Sequence, residues 1–263
     1  PGIEGDWVYF PAKKAGILQP QIQHTSRNHS ALHGTAGHPK PIQSGSFCPS
    51  LVSAVLKRLA DILCSTVGLI LCAPLLFLCS IIVRLDSPGP AFYSQERVTR
   101  NEKVFHIYKF RTMVHHAEAF TGGVLASEDD PRITRVGRVL RNTHLDELPQ
   151  LLNVLKGDMS LVGPRPERPM FVEKYKAEVD QYEQRFLVRA GLTGTAQVYG
   201  HYYTEISEKT AYDLWYIKHF SLWQDIKLMV LTVKVLFEGK PLQRALEKPA
   251  HSSPKLPNPP IAK

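Results

Sequence analysis

The longest hydrophobic pattern runs from Ile62 to Val83, 22 residues without a charge, long enough for a membrane helix. It begins too deep in the chain for a secretory signal peptide and lacks a cleavage context. Pro74 stands near its centre, where proline removes one helical hydrogen bond and bends the helix. Lys57 and Arg58 precede the segment, and Arg84, Arg97 and Arg100 follow it. The positive-inside bias then keeps both ends cytoplasmic, and a helix that enters, breaks at Ala73-Pro74 and returns satisfies both features. Ser65, Thr66 and Ser80 are at hand to partner the freed backbone groups. A kinked single span and a buried core helix fit the same length, because hydropathy sets length and not path.

A second pattern is shorter. Leu148, Leu151, Leu152 and Leu155 recur at i, i+3, i+4 and i+7, and Gly157 follows, which predicts one amphipathic helix ending there. Asp146 is placed as its N-cap, with Pro149 in the first turn. The adjacent carboxylates Asp146 and Glu147 would then be held ionised by the helix dipole, at an end that also suits phosphate. Capping alone would account for an isolated Asp146.

The remaining patterns are local. Ser87-Pro-Gly-Pro90 reads as a turn, and Ala91 to Gln95 with Val104 to Phe110 as two strands around the polar tip Arg100 to Lys103. Glu118 to Asp130 reads as an acidic loop. Thr134 is a candidate cap for a helix bringing Arg135, Arg138 and Arg141 nearly onto one face. Tyr212 to Phe220 and Leu222 to Phe237 read as helices; the second sets Trp223, Ile226, Val230 and Val233 against Lys227 and Lys234, which fits either a core helix or a membrane-interface helix. Residues 1–50 are polar, with the composition of a disordered segment, and 241–263 form a Pro-rich basic tail. Between them, 51–84 is the membrane helix and 85–240 the body.

A net charge of +8 adds a demand for anionic partners. The charge adjoins an apolar segment rather than an aromatic-interleaved groove, which argues against nucleic acid. The four cysteines have neither zinc-ligand nor redox spacing, and no stripe demands a dimer. Arg165, between Pro164 and Pro166, is a rigidly presented guanidinium suited to a diphosphate. Arg185 and Arg189 precede Gly191 to Gly194, a glycine-rich turn able to bring N–H groups near an anion. Lys109 and Arg111 close the hairpin.

Seven stretches in order resemble the bacterial sugar transferase family, the monotopic phosphoglycosyl transferases: Lys57-Arg58-x-x-Asp61, Ser87-Pro-Gly-Pro90, Lys109-Phe-Arg-Thr-Met113, Asp130-Pro-Arg-Ile-Thr-Arg-Val-Gly-Arg138, Leu145-Asp-Glu-Leu-Pro-Gln150, Asn153-Val-Leu-Lys-Gly-Asp-Met-Ser160 and Val162-Gly-Pro-Arg-Pro166. The resemblance implies an α+β, mainly helical monotopic membrane enzyme with a re-entrant helix broken at Pro74, a small β-hairpin and a catalytic domain on the cytoplasmic face of the bacterial inner membrane. It implies transfer of a phospho-sugar from a UDP-sugar to polyprenol (undecaprenyl) phosphate, with release of UMP, to initiate lipid-linked glycan assembly. Asp146 matches the nucleophile that holds the phosphosugar covalently, and Glu147 the second carboxylate, the two holding Mg²⁺ with substrate phosphates. Arg141 and Arg165 match phosphate or nucleotide contacts, and Pro164, Pro166, Lys109 and Arg111 complete the expected substrate site. Direct transfer with the dyad only binding metal, and a silent membrane scaffold, are the competing readings. The chain departs from the family at Thr99 and Glu102, where glycines are usual, at Ala190 to Thr195, and at His201 in place of a common Arg. These departures bear on the hairpin turn and on sugar or nucleotide contacts.

Overall fold

A computed structural model describes residues 49–117, 130–200 and 204–238. The expected N-terminal disorder before residue 49, most of the acidic loop, His201 and the basic tail fall outside these residues.

Helix α1 is Leu51–Asp86, 36 residues, a length of ~54 Å at 1.5 Å per residue. It starts eleven residues before the uncharged run because Ser50 caps it, accepting from the Ser53 N–H at 3.1 Å. Helical geometry continues through Pro74, so the proline sits inside one helix, where a break between two was expected. Ser65 and Ser80 do not serve the proline. They return to carbonyls of their own turns, Ser65 to Asp61 and Ser80 to Leu76. Along the helix only Asp61, Ser65, Cys79 and Val83 are buried. Leu63, Ile70, Leu71 and Phe77 project into open space, each at least 65% exposed, as a helix solvated by lipid would be.

Both ends of α1 are held by the rest of the chain. Strands β1, Phe92–Val98, and β2, Val104–Phe110, form an antiparallel hairpin pairing Phe92 with Phe110 and Val98 with Val104. Its tip places Asn101 and Glu102 at φ of 57°, the left-handed region that favours the glycines expected here. Thr99 is used structurally, its Oγ1 donating to the Asp158 carbonyl and accepting from Ala190 N–H. Helix α2, Arg135–Asn142, starts at the anticipated cap, Thr134, which accepts from Gly137 N–H. Leu140 and Val136 pack with Cys79 and Val83 of α1 and Phe110 of β2.

A 3₁₀ helix, Leu145–Gln150, leads into α3, Leu151–Lys156, which ends at Gly157 with φ 93°. Strand β3, Met159–Val162, follows, then α4, Pro169–Glu178, and a 3₁₀ helix, Tyr182–Leu187. Strand β4, Ala190–Thr193, pairs parallel to β3, so the glycine-rich stretch read as a turn is a strand. A Cβ on Gly191 would lie 2.1 Å from Gly163 N. The glycines serve backbone approach, and two N–H groups at this corner are already committed: Gly163 N–H donates to the Thr193 carbonyl and Gly191 N–H to the Pro164 carbonyl.

Helices α5, Thr195–Tyr199, α6, Ile206–Lys218, and α7, Leu222–Glu238, complete the described chain. Helix α6 begins six residues before the expected Tyr212. Helix α7 buries Leu228 and Asp225 but leaves Trp223, Val230 and Val233 exposed. Asp225 ties α7 to the start of α1: Lys57 Nζ donates to it at 2.6 Å and to the Val162 carbonyl at 3.1 Å. Asp61 Oδ1 accepts from Ser160 Oγ and Leu161 N–H. Arg58 donates to the carbonyls of Val154 and Leu155 at the end of α3. Three polar residues on the first turns of the apolar helix thus grip α3 and β3.

Candidate active site

His144, at φ 56°, turns the chain out of α2 and into the 3₁₀ helix. Asp146 is therefore within the first turn of that helix and is not a cap. The cap reading fails because an acidic residue ahead of a first-turn proline is equally at home in a 3₁₀ turn; the left-handed His144 decides the geometry. The two carboxylates point differently, Asp146 being buried and Glu147 partly open.

Glu147 is clamped. Its Oε1 accepts from Lys109 Nζ and from Arg165 Nη2, both at 2.7 Å, while Oε2 has only Arg165 Nη1 at 3.5 Å. Burial opposes ionisation of Glu147, but the charges of Arg165 and Lys109 outweigh it and hold the carboxyl well below the usual range. Arg165 is raised in turn by Glu147. Burial lowers Lys109, with Glu147 opposing. Asp146 behaves oppositely: burial raises its pKa, Lys109 works against that, and the neighbouring Glu147 charge adds to it. Among the described residues no side chain donates to Asp146. Arg141 lies within its electrostatic reach, steadied by a 2.8 Å bond from Nε to Thr112 Oγ1.

Arg165 is exposed between two buried prolines, as the Pro-Arg-Pro pattern suggested. What fixes it was not visible in the sequence. Four successive carbonyls are each held by a different donor: Pro164 by Gly191 N–H at 2.8 Å, Arg165 by Arg185 Nη2 at 2.9 Å, Pro166 by Arg97 Nη1 at 3.2 Å, and Glu167 by Val98 N–H at 3.0 Å. Arg185 is itself buried against Asp213 at 2.7 Å. Arg111, expected at the substrate, is directed elsewhere: its guanidinium donates to the carbonyls of Ser87 and Pro88, closing the end of α1 onto the hairpin.

No group of three or more His, Cys, Asp or Glu capable of holding a metal occurs among the described residues. The pair Asp146 and Glu147 still offers hard oxygens, with Oε2 of Glu147 little used, and Mg²⁺ characteristically takes one or two carboxylates with substrate phosphates. The donor set fits that ion.

An apolar helix laid bare along its middle, a small hairpin and a carboxylate dyad met by Lys109 and Arg165 define a monotopic α+β membrane protein. The chain belongs to the bacterial sugar transferase family, whose sequence model matches residues 52–239. It is 38% identical over 242 residues to an Aeromonas hydrophila UDP-N-acetylgalactosamine-undecaprenyl-phosphate N-acetylgalactosaminephosphotransferase, covering 90% of this chain and 57% of that protein. With a Salmonella typhimurium undecaprenyl-phosphate galactose phosphotransferase it shares 42% over 198 residues, 70% of this chain and 41% of the other. A Caulobacter vibrioides UDP-glucose:undecaprenyl-phosphate glucose-1-phosphate transferase is 40% identical over 215 residues, 80% of each. The chain thus spans about half the length of the first two.

Proposed function

We propose that this protein transfers a phospho-sugar from a UDP-sugar to polyprenol phosphate through an aspartyl-phosphosugar intermediate. The observation that carries the reading is the division of labour in the dyad. Glu147 is neutralised by two cations, whereas Asp146 is desolvated and receives no side-chain donor among the described residues, and a carboxylate stripped of hydrogen bonds is the better nucleophile. An Asp146 oxygen attacks the β-phosphorus, the bond to the bridging oxygen breaks, and UMP departs with that electron pair. A phosphate oxygen of polyprenol phosphate then attacks the same phosphorus and releases Asp146, giving a polyprenyl diphosphate sugar. Arg165 and Arg141 meet charge on the phosphoryl oxygens. Glu147, through Oε2, and Asp146 would hold Mg²⁺, which when bound neutralises further phosphate charge.

The membrane assignment shapes how the acceptor arrives. Because Asp61 and Val83 near opposite ends of α1 are both buried against the body, we infer that α1 bends at Pro74, dips into the cytoplasmic leaflet and returns. The exposed Trp223, Val230 and Val233 of α7 would rest at the same interface. Cysteines placed at Ser50 and Ser87 would then both be labelled from the cytoplasmic side alone; labelling from opposite sides would establish a span.

The covalent step is tested by incubating the protein with Mg²⁺ and each of a panel of UDP-sugars without lipid. Expected is a mass increase of one sugar phosphate on the Asp146 peptide. Turnover with lipid but no adduct would instead favour direct transfer with a metal-binding dyad, and no turnover with any donor would favour a silent scaffold.

A further inference from the structure

Arg111 and Arg185 are buried and Arg58 and Arg97 half-buried, and all four donate to main-chain carbonyls. Arg135 and Arg138 on α2 are different. Both are exposed, and neither guanidinium has an ion pair or hydrogen bond among the described residues. We propose that these two guanidinium groups capture the phosphate of the lipid acceptor and hand it along α2 to Arg141 beside Asp146. This rests on the transfer reading above.

The order of residues around α2 supports the assignment. At 100° per residue, Val136 and Leu140 face α1, where they pack with Cys79 and Val83. Next around the helix comes Val139, an apolar side chain left 59% exposed. Arg135 and Asn142 follow, then Arg138, then Arg141, which turns back to Thr112. The helix therefore grades from packed apolar, through exposed apolar, to cationic. An exposed valine between a membrane helix and a guanidinium face belongs at the depth where acyl chains give way to phosphates. From Arg135 to Arg141 the rise along the axis is ~9 Å, so phosphate bound at the outer end needs about one side-chain length of travel to reach the dyad.

The ligand chemistry is a phosphate on a lipid, which an acceptor monoester and a bulk phospholipid both present. The monoester favours this site, because it offers three terminal oxygens and up to two charges to paired guanidinium groups, whereas a diester headgroup offers two oxygens and one charge.

The test compares wild type with the Arg135→Gln/Arg138→Gln double variant, reading KM for polyprenol phosphate, KM for the UDP-sugar and binding to phosphatidylglycerol vesicles. Acceptor KM should rise about tenfold, the scale of losing one or two exposed charge-assisted contacts, with donor KM, kcat at saturating acceptor and vesicle binding unchanged. An unmoved acceptor KM overturns the proposal. So does a rise that tracks weakened vesicle binding and vanishes in membranes without anionic lipid, since the arginines would then touch headgroups only. Binding of labelled polyprenol phosphate in neutral detergent micelles needs no turnover and should weaken to the same extent. If wild type binds this lipid tightly but transfers no sugar, the transfer reading fails while the capture site stands; if the double variant binds as well as wild type, the capture site fails whatever the activity.

Discussion

Arg185 Nη2 lies 2.9 Å from the carbonyl oxygen of Arg165, so one guanidinium fixes the main chain that presents another. The same Arg185 is paired with Asp213, side chains 4% and 2% exposed, and donates to Tyr182 Oη. Burial pulls its pKa down, and Asp213, Tyr182 and Glu167 together hold it above its ordinary value.

Replacing Arg185 with Met strands Asp213 in the interior. The expected loss is about 3–5 kcal/mol of unfolding free energy, the usual cost of breaking a buried pair from one side, measured by urea denaturation in detergent. Arg185→Lys keeps the charge but cannot serve Asp213, Tyr182 and Arg165 together. It should remain folded with lowered kcat. In an Arg165→Ala background that kcat loss should largely disappear; full additivity in the double-mutant cycle would show that Arg185 does not act through Arg165.

Asp146→Asn should be inactive yet more stable than wild type at neutral pH. Burial raises the native pKa of Asp146 above its unfolded value, so the ionised form costs stability above the native pKa, and the cost vanishes below the unfolded value of about 3.9. Melting temperatures taken across pH without divalent ions should show the variant ahead at pH 7 and level with wild type below about pH 4. Parallel curves at every pH would contradict the assignment.

For Glu147 the sign is reversed. Its native pKa lies below the unfolded value of about 4.3, so its stabilisation is present above that pH and is lost as pH falls through the native pKa. Lys109→Met removes one of the two clamping cations and raises the native value. Acid unfolding, followed by circular dichroism, should then begin at higher pH. Turnover should drop by about 10²-fold, the scale of removing one preorganised charge partner.

Gly157→Ala probes the end of α3. The residue has φ 93°, and an added Cβ would lie 3.2 Å from the Arg58 guanidinium. The expected destabilisation is about 1–2 kcal/mol, with Gly157→Asn milder because asparagine tolerates this region. Thermal unfolding of the three proteins checks the order.

The sequence carried what is local. The uncharged run, the hairpin, the Thr134 cap, the acidic pair and the proline-flanked Arg165 are each written in a few adjacent residues, and seven ordered stretches pointed to the family. Pairing across the chain was not readable: Lys57 with Asp225, Arg185 with Asp213 and Arg97 with Pro166 depend on which segments meet, and no periodicity records that. Local chemistry also misled where two structures share it. Asp146 has the signature of a cap but lies in a 3₁₀ turn. Gly191 to Gly194 has the signature of a turn but is a strand whose missing side chains admit a neighbouring backbone. Arg111, read as a substrate contact, turned out to spend both terminal nitrogens on main-chain carbonyls.

That glycine corner limits how this protein can evolve. Side chains at Gly163, Gly191 and Gly194 would each collide with main-chain atoms at 2.1–2.3 Å, so almost any heritable change there disrupts the lattice supporting Arg165. Its relatives are nonetheless named for N-acetylgalactosamine, galactose and glucose. Any lineage that keeps this corner must write its differences in other residues, and a search for positions that vary between relatives can pass over the three glycines.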